Sequence, residues 1–177
     1  MRISRKLAIA VLGMALSVPV FSQNPKQDQP DADTFCADLR LPHPTAVPKK
    51  VLNLILSRKE IEESVDEEAR QSDPARFFHA TEVRLGPTGE IDLLVIGGGP
   101  FSGADNDWFW LVRFPYRNPE IVLWEGANCI SLDQNRTNGL RNVSSSWSSA
   151  SQHREVTFRF DGTKYRAGKE RWSQVRP

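Results

Sequence analysis

Val95-Ile96-Gly97-Gly98-Gly99-Pro100-Phe101-Ser102-Gly103-Ala104-Asp105-Asn106-Asp107-Trp108-Phe109-Trp110 is the stretch on which the fold turns. An apolar strand running into glycines is how a flavin or nicotinamide Rossmann domain opens. That fingerprint works only when a helix follows at once and its amino terminus holds the pyrophosphate. Here Phe101 to Asn106 is loop material, Ser102 stands where the third fingerprint glycine belongs, and an aromatic strand comes next. The reading is therefore strand, wide glycine-shaped loop from Gly97 to Asp107, strand, with no dinucleotide site.

Outward from this stretch the same grammar repeats, with short apolar or alternating runs between turn residues. Strands are expected near Phe77 to Leu85, Ile91 to Ile96, Trp108 to Phe114, Ile121 to Glu125, Cys129 to Leu132, Arg141 to Ser148, Glu155 to Phe160 and Lys164 to Ala167. Gly86-Pro87-Thr88-Gly89, Pro115 to Pro119, Asn138-Gly139 and Asp161-Gly162 are the punctuation, and the last two favour the positive-φ turns of antiparallel hairpins. Gly89 to Asp92 and Gly139 to Asn142 each open a strand, while Val112-Arg113-Phe114 and Phe158-Arg159-Phe160 each close one, so two related units follow one another. The spacing suits a four-stranded propeller blade, but a closed ring needs about four blades or more and this chain supplies two. The expected fold is α+β and mainly β: a short amino-terminal helical segment, then an antiparallel domain of two blade-like units over residues 77–177, as a sandwich or open barrel.

Upstream, Pro48 suits a first helical position, Lys49 to Leu56 is helix-compatible, and Ser57-Arg58-Lys59-Glu60 matches a capping box. The helical segment, residues 48–72, is thus expected in two pieces joined at Ser57. Glu62, Glu63, Asp66, Glu67 and Glu68 form a solvated face opposite Ile61, Val65 and Ala69. Residues 23–47 form an arm, polar and flexible at first, then extended through the prolines of Leu41 to Pro48.

Residues 1–22 carry a basic start, an apolar run from Leu7 to Val20 and small residues flanking Phe21, the pattern of a secretory signal peptide. The run is shorter than the roughly 20 residues that span a bilayer. A soluble secreted or periplasmic product is expected. Arg2, Arg5 and Lys6 lie in this leader, so the formal charge of +1 turns slightly acidic once it is removed. No basic excess remains of the kind nucleic acid requires. Cys36 and Cys129 then enter a compartment where thiols oxidise, and one long-range disulfide is expected, the alternative being two buried thiols. Their wide separation does not suit a metal site.

Asp105 and Asp107 meet Trp108 and Trp110 at the end of the glycine loop. Carboxylates there could ligate calcium or hydrogen-bond sugar hydroxyls while an indole stacks on a ring; alternatively the acids serve loop backbone donors and the tryptophans straddle the sheet. Ser144 to Ser151 surrounds Trp147 with small hydroxyls, which makes either a shallow groove around that indole or a thin edge strand. His43, His79 and His153 are widely spaced, and no H-E-x-x-H, G-x-S-x-G or P-loop lysine is present. Asn135-Arg136-Thr137 and Asn142-Val143-Ser144 fit a glycosylation acceptor, relevant only in a eukaryotic secretory route.

Gly89-Glu90-Ile91-Asp92-Leu93-Leu94-Val95, with Gly139 to Asn142, is similar to the FG-GAP and VCBS-like repeats of extracellular adhesion proteins, whose pattern is D-x-N-x-D-G-x-x-D before an apolar strand. The resemblance covers roughly Arg84 to Tyr165. It implies calcium at the first acids, but those positions are Arg84, Gly86 and Thr88 here, and Gln134, Arg136 and Asn138 in the second copy; only Asp92 and Asn142 keep the last one. The turn shape is implied, the cofactor is not. The chain also resembles small exported bacterial proteins with the same Trp-Phe-Trp and Ser-Ser-Trp-Ser-Ser elements, which implies location alone.

These readings combine into an exported, non-catalytic binding module that recognises a glycan or a protein through Asp105, Asp107, Trp108, Trp110 and Trp147, with no cofactor, calcium being the alternative. A small periplasmic hydrolase, a hydrolase inhibitor and a structural envelope protein are the competing expectations.

Overall fold

A computed structural model describes residues 33–38, 40–103 and 106–175. The leader, the first part of the arm and Asp105 lie outside the described residues. Within them, ten strands form two antiparallel five-stranded sheets that do not close into a barrel. The strands are β1 (Thr34–Cys36), β2 (Pro44–Thr45), β3 (Phe78–Val83), β4 (Asp92–Ser102), β5 (Asp107–Arg113), β6 (Glu120–Ala127), β7 (Cys129–Thr137), β8 (Leu140–Ser148), β9 (Gln152–Phe160) and β10 (Tyr165–Gln174). The first sheet runs β2-β3-β4-β5-β6 and the second β1-β7-β8-β9-β10.

Each sheet is a four-stranded meander with one short strand of the arm added at its edge. The described part of the arm therefore joins both sheets, lacing β1 to β7 and β2 to β3. Between the meanders the chain changes sheet at Asn128, whose N–H donates to the Ser146 carbonyl at 2.8 Å. The related sequence elements fall on matching strands: Asp92 opens β4 and Asn142 is the third residue of β8, both strands second in their unit, while Val112 and Phe158 lie near the ends of the third strands, β5 and β9.

The molecule has three layers. Leu94, Ile96, Phe109, Leu111 and Leu123 of the first sheet meet Ile130, Val143, Val156 and Phe158 of the second in one buried cluster. On the other face of the first sheet, Phe78, Ala80, Val95, Phe101, Trp110 and Val112 pack under Val51, Ile55 and Ile61 of the helices. A strand covered on both faces must be apolar at successive residues, which explains the unbroken runs Leu93 to Ile96 and Phe109 to Val112.

Four details differ from the sequence reading. The helical segment is in three pieces, α1 (Lys49–Leu56), α2 (Lys59–Ser64) and α3 (Glu67–Gln71). The capping box does not form: Ser57 Oγ donates back to the Leu54 carbonyl, Glu60 is held by Arg58, and the side-chain cap sits at Asp66, which accepts from Ala69 N–H at 2.7 Å. The glycine stretch is not a wide loop; β4 continues to Ser102 through a bulge between Gly97 and Ser102, and Gly103 N–H to Asn106 O closes a tight turn. A Cβ at Gly97 would stand 2.6 Å from the Phe101 carbonyl and 2.9 Å from the Trp110 ring, so this bulge packs as it does only with glycine. Finally, the serine-rich strand is β8, flanked by β7 and β9, and is interior rather than an edge.

Cys36 and Cys129 form a disulfide between directly opposed residues of β1 and β7.

Candidate functional site

The side chains singled out by sequence fall into three places. Trp108 and Trp110 are two residues apart on β5 and so share a face instead of straddling the sheet. That face is the one under the helices. Trp110 is 1% exposed, against Phe78 at 5.7 Å between ring centroids. Trp108 packs edge-on between Trp110 and Trp124, at 6.2 and 5.9 Å. Trp110 offers no surface to a ligand.

Asp107 lies at the first residue of β5, in a cleft of about 580 Å³ whose walls include Asp38, Ser102, Asn106, Asn128 and Ser148. Burial pushes its carboxyl above the ordinary range, and the charge of Asp38 adds to this, against a hydrogen bond from Ser102. Among the described residues no group of three or more His, Cys, Asp or Glu side chains gathers as a metal site.

Trp147 belongs to a different constellation. Cross-strand register sets Trp147 of β8 opposite Arg154 of β9, and Arg154 opposite Trp172 of β10, so three side chains form one row across three strands. The row faces the other sheet at the end of the sandwich, since Ser145 Oγ and Arg154 Nη1 both donate to Glu125 of β6, at 3.3 and 3.1 Å. Here the interlayer core has run out: Trp172 is 56% exposed and Trp147 partly so. The indoles meet near-perpendicular at 6.2 Å, with the Arg154 guanidinium 5.9 Å from the Trp172 ring.

Hydrogen bonds fix the polar groups of this row. Arg154 Nε donates to Glu170 Oε1 at 2.8 Å, and the Trp172 indole N–H donates to the same oxygen at 2.7 Å. Those two donors hold the Glu170 carboxyl below its usual range. Burial holds the Glu125 carboxyl above its range, opposed by Arg154. One guanidinium thus spans an exposed carboxylate and a half-buried one, and keeps the indoles in place. Rings, carboxylates and a guanidinium on one rigid face suit a ligand that presents both a C–H face and hydroxyl or amide groups.

Sequence reasoning missed Trp172, Arg154 and Glu170, and considered Glu125 only as an acid partner of Glu120. Trp172 escaped because the last strand was expected to end near Ala167; the residues beyond, Gly168-Lys169-Glu170-Arg171, are charged and carry a bulge that breaks the alternation. The remaining polar pair is Ser148 Oγ and His153 Nδ1, 2.8 Å apart across β8 and β9. No other side chain of the described residues holds the imidazole, so the orienting third group of a hydrolytic triad is missing there.

In class, then, this is a two-sheet β sandwich with a helical layer on one side and an aromatic, polar row at one open end. No family model, no curated protein and no solved structure matches the chain.

Proposed function

We propose that the chain is an exported binding module, acting in the periplasm or outside the cell, that recognises a glycan through the Trp147–Arg154–Trp172 row with the Asp107 cleft beside it. The row carries this reading, because an exposed indole next to an indole, held by a guanidinium and flanked by carboxylates, offers stacking and hydrogen bonding together. Ser148, the residue after Trp147, is part of the cleft wall, so a chain-like ligand could touch both. The disulfide is compatible with an extracellular location, and no helix of the described residues is long and apolar enough to cross a membrane.

Titration of soluble peptidoglycan fragments, followed by tryptophan fluorescence, tests the proposal. A saturable change that Trp172→Ala abolishes is the expected result. No change with any cell-wall glycan overturns the glycan reading and leaves a protein as the partner to be sought. The Ser148–His153 pair favours a second reading, a small hydrolase. Under it His153→Ala, which removes the imidazole partner of Ser148, abolishes turnover of an activated ester; in a binding module it leaves glycan affinity in place.

A further inference from the structure

A second cavity adjoins the Asp107 cleft, with Ala37 in the wall of both, at the side of the sandwich where the arm leads from β1 to β2. It measures about 360 Å³ and is lined by Ala37, Arg40, Leu41 and Pro44 of the arm and by His79 and Ile96 of β3 and β4. His79 and Ile96 are register partners, and Ile96 belongs to the interlayer core. The cavity therefore opens from the edge of that core. Its walls are mostly aliphatic, and its volume is at the lower end of the roughly 300 to 1,000 Å³ that small-molecule sites span.

The polar groups of its rim are Arg40 and His79, and no carboxylate is among the lining residues. Nine ion pairs join charged side chains of the described residues, and Arg40 is in none of them. Both side chains line the cavity and are exposed. A permanently charged guanidinium and an imidazole at the lip of an aliphatic cavity complement one kind of small molecule, an anion carrying an apolar tail. An amine would meet Arg40 with like charge. A neutral alcohol would fill the cavity but forgo the charge-assisted hydrogen bond.

We infer that this cavity binds a medium-chain aliphatic carboxylate, its tail between Leu41, Pro44 and Ile96 and its carboxylate on Arg40, with His79 donating a second hydrogen bond. The inference does not rest on the glycan reading, although Ala37 lines both this cavity and the Asp107 cleft. Binding would also tie the arm to β3 and β4, because the two walls come from different segments.

Octanoate is the probe. The disulfide-intact protein is titrated at pH 7 with octanoate, octan-1-ol and octylamine, by calorimetry and by NMR of the Ile96 and Leu41 methyl groups. The expected result is saturable octanoate binding that shifts those methyls, at least about ten-fold tighter than octan-1-ol, the factor one charge-assisted hydrogen bond supplies. Arg40→Gln should remove that ten-fold advantage and leave octan-1-ol binding unchanged. Ala37→Phe, which fills the cavity from the arm, should abolish both. Octanoate and octan-1-ol binding equally well, or an Arg40→Gln protein that still prefers octanoate, overturns the carboxylate assignment. Methyl groups of Ile96 and Leu41 that stay unshifted at saturating octanoate overturn the site.

Discussion

The two sheets have nearly the same topology and opposite surroundings. The first is covered on both faces, by helices and by its partner sheet, and Leu93 to Ile96 and Phe109 to Val112 are buried residue after residue. The second is covered on one. Along β9, Val156, Phe158 and Phe160 are buried while Glu155, Thr157 and Arg159 alternate with them toward solvent. The difference teaches where each kind of stability and each kind of chemistry can sit. Bulk apolar burial belongs to the covered sheet and makes Trp110 structural, while Trp124 on its edge strand β6 stays 37% exposed. The second sheet has less to bury, carries the disulfide, and keeps its indoles near water.

Breaking the disulfide is the strongest test of that contrast. The bridge spans 93 residues of sequence, and in the chain-entropy model closing such a loop is worth about 4–5 kcal/mol. The Cys36→Ser, Cys129→Ser double variant should lose about that much in urea unfolding. A loss under about 1 kcal/mol would mean that β1 is held by its ladder and by the Thr34–Ser131 hydroxyl pair alone, and that the second sheet needs no staple.

Tryptophan truncation compares the sheets directly. Trp110→Ala removes the largest fully buried side chain beneath the helices and should cost about 3–5 kcal/mol, whereas Trp172→Ala, on an exposed edge strand, should cost under about 1 kcal/mol. Equal losses, measured as unfolding midpoints, would erase the distinction between a structural and a surface cluster.

A smaller effect tests whether the helical layer is a cooperative part of the covered sheet. Asp66 caps the shortest helix, α3, by accepting from Ala69 N–H. Asp66→Ala should cost about 1 kcal/mol, read as a lower thermal midpoint of the whole molecule. If far-UV signal is lost at α3 with no shift in the global midpoint, the layer frays separately.

The same contrast explains what the sequence made legible. Strand positions followed from alternation and turn residues, and the Asn138-Gly139 hairpin turn has positive φ at both residues as expected of that dipeptide. Pairing of Cys36 with Cys129 was legible because the chain has only these two cysteines and its leader-like start points to an oxidising compartment. Which apolar strand is buried twice was not, since Trp108 and Trp110 look equally suited to a ligand or a core until the helices are placed over them. The serine run looked like an edge because it lacks apolar bulk. It is interior because β7 and β9 pair with it on either side, contacts between segments that no local pattern records. Trp172 stayed hidden behind a bulge and four residues of Gly, Lys, Glu and Arg.

The subtlest test compares the two units at one equivalent position, Asp92 in the first and Asn142 in the second. Asp92 is buried at 1% exposure, accepts from Leu85 N–H at 3.3 Å and lies 3.4 Å from Arg113, while Asn142 accepts from the Thr137 hydroxyl at 2.7 Å. Burial raises the Asp92 carboxyl above its ordinary value of 3.8, and Arg113 and the Leu85 N–H only partly oppose it. A carboxyl whose folded pKa is raised contributes stability that is full below 3.8 and is lost as pH rises through the folded value. Asp92→Asn keeps the acceptor for Leu85 and removes that loss, and Arg113 retains Glu90 at 3.1 Å. The variant should therefore differ from the parent by under about 1 kcal/mol at pH 7. Between pH 3 and pH 7 its urea midpoint should move in its favour relative to the parent. Movement the other way would show that the ion pair with Arg113 outweighs burial, and that the first unit needs a charge where the second is content with an amide.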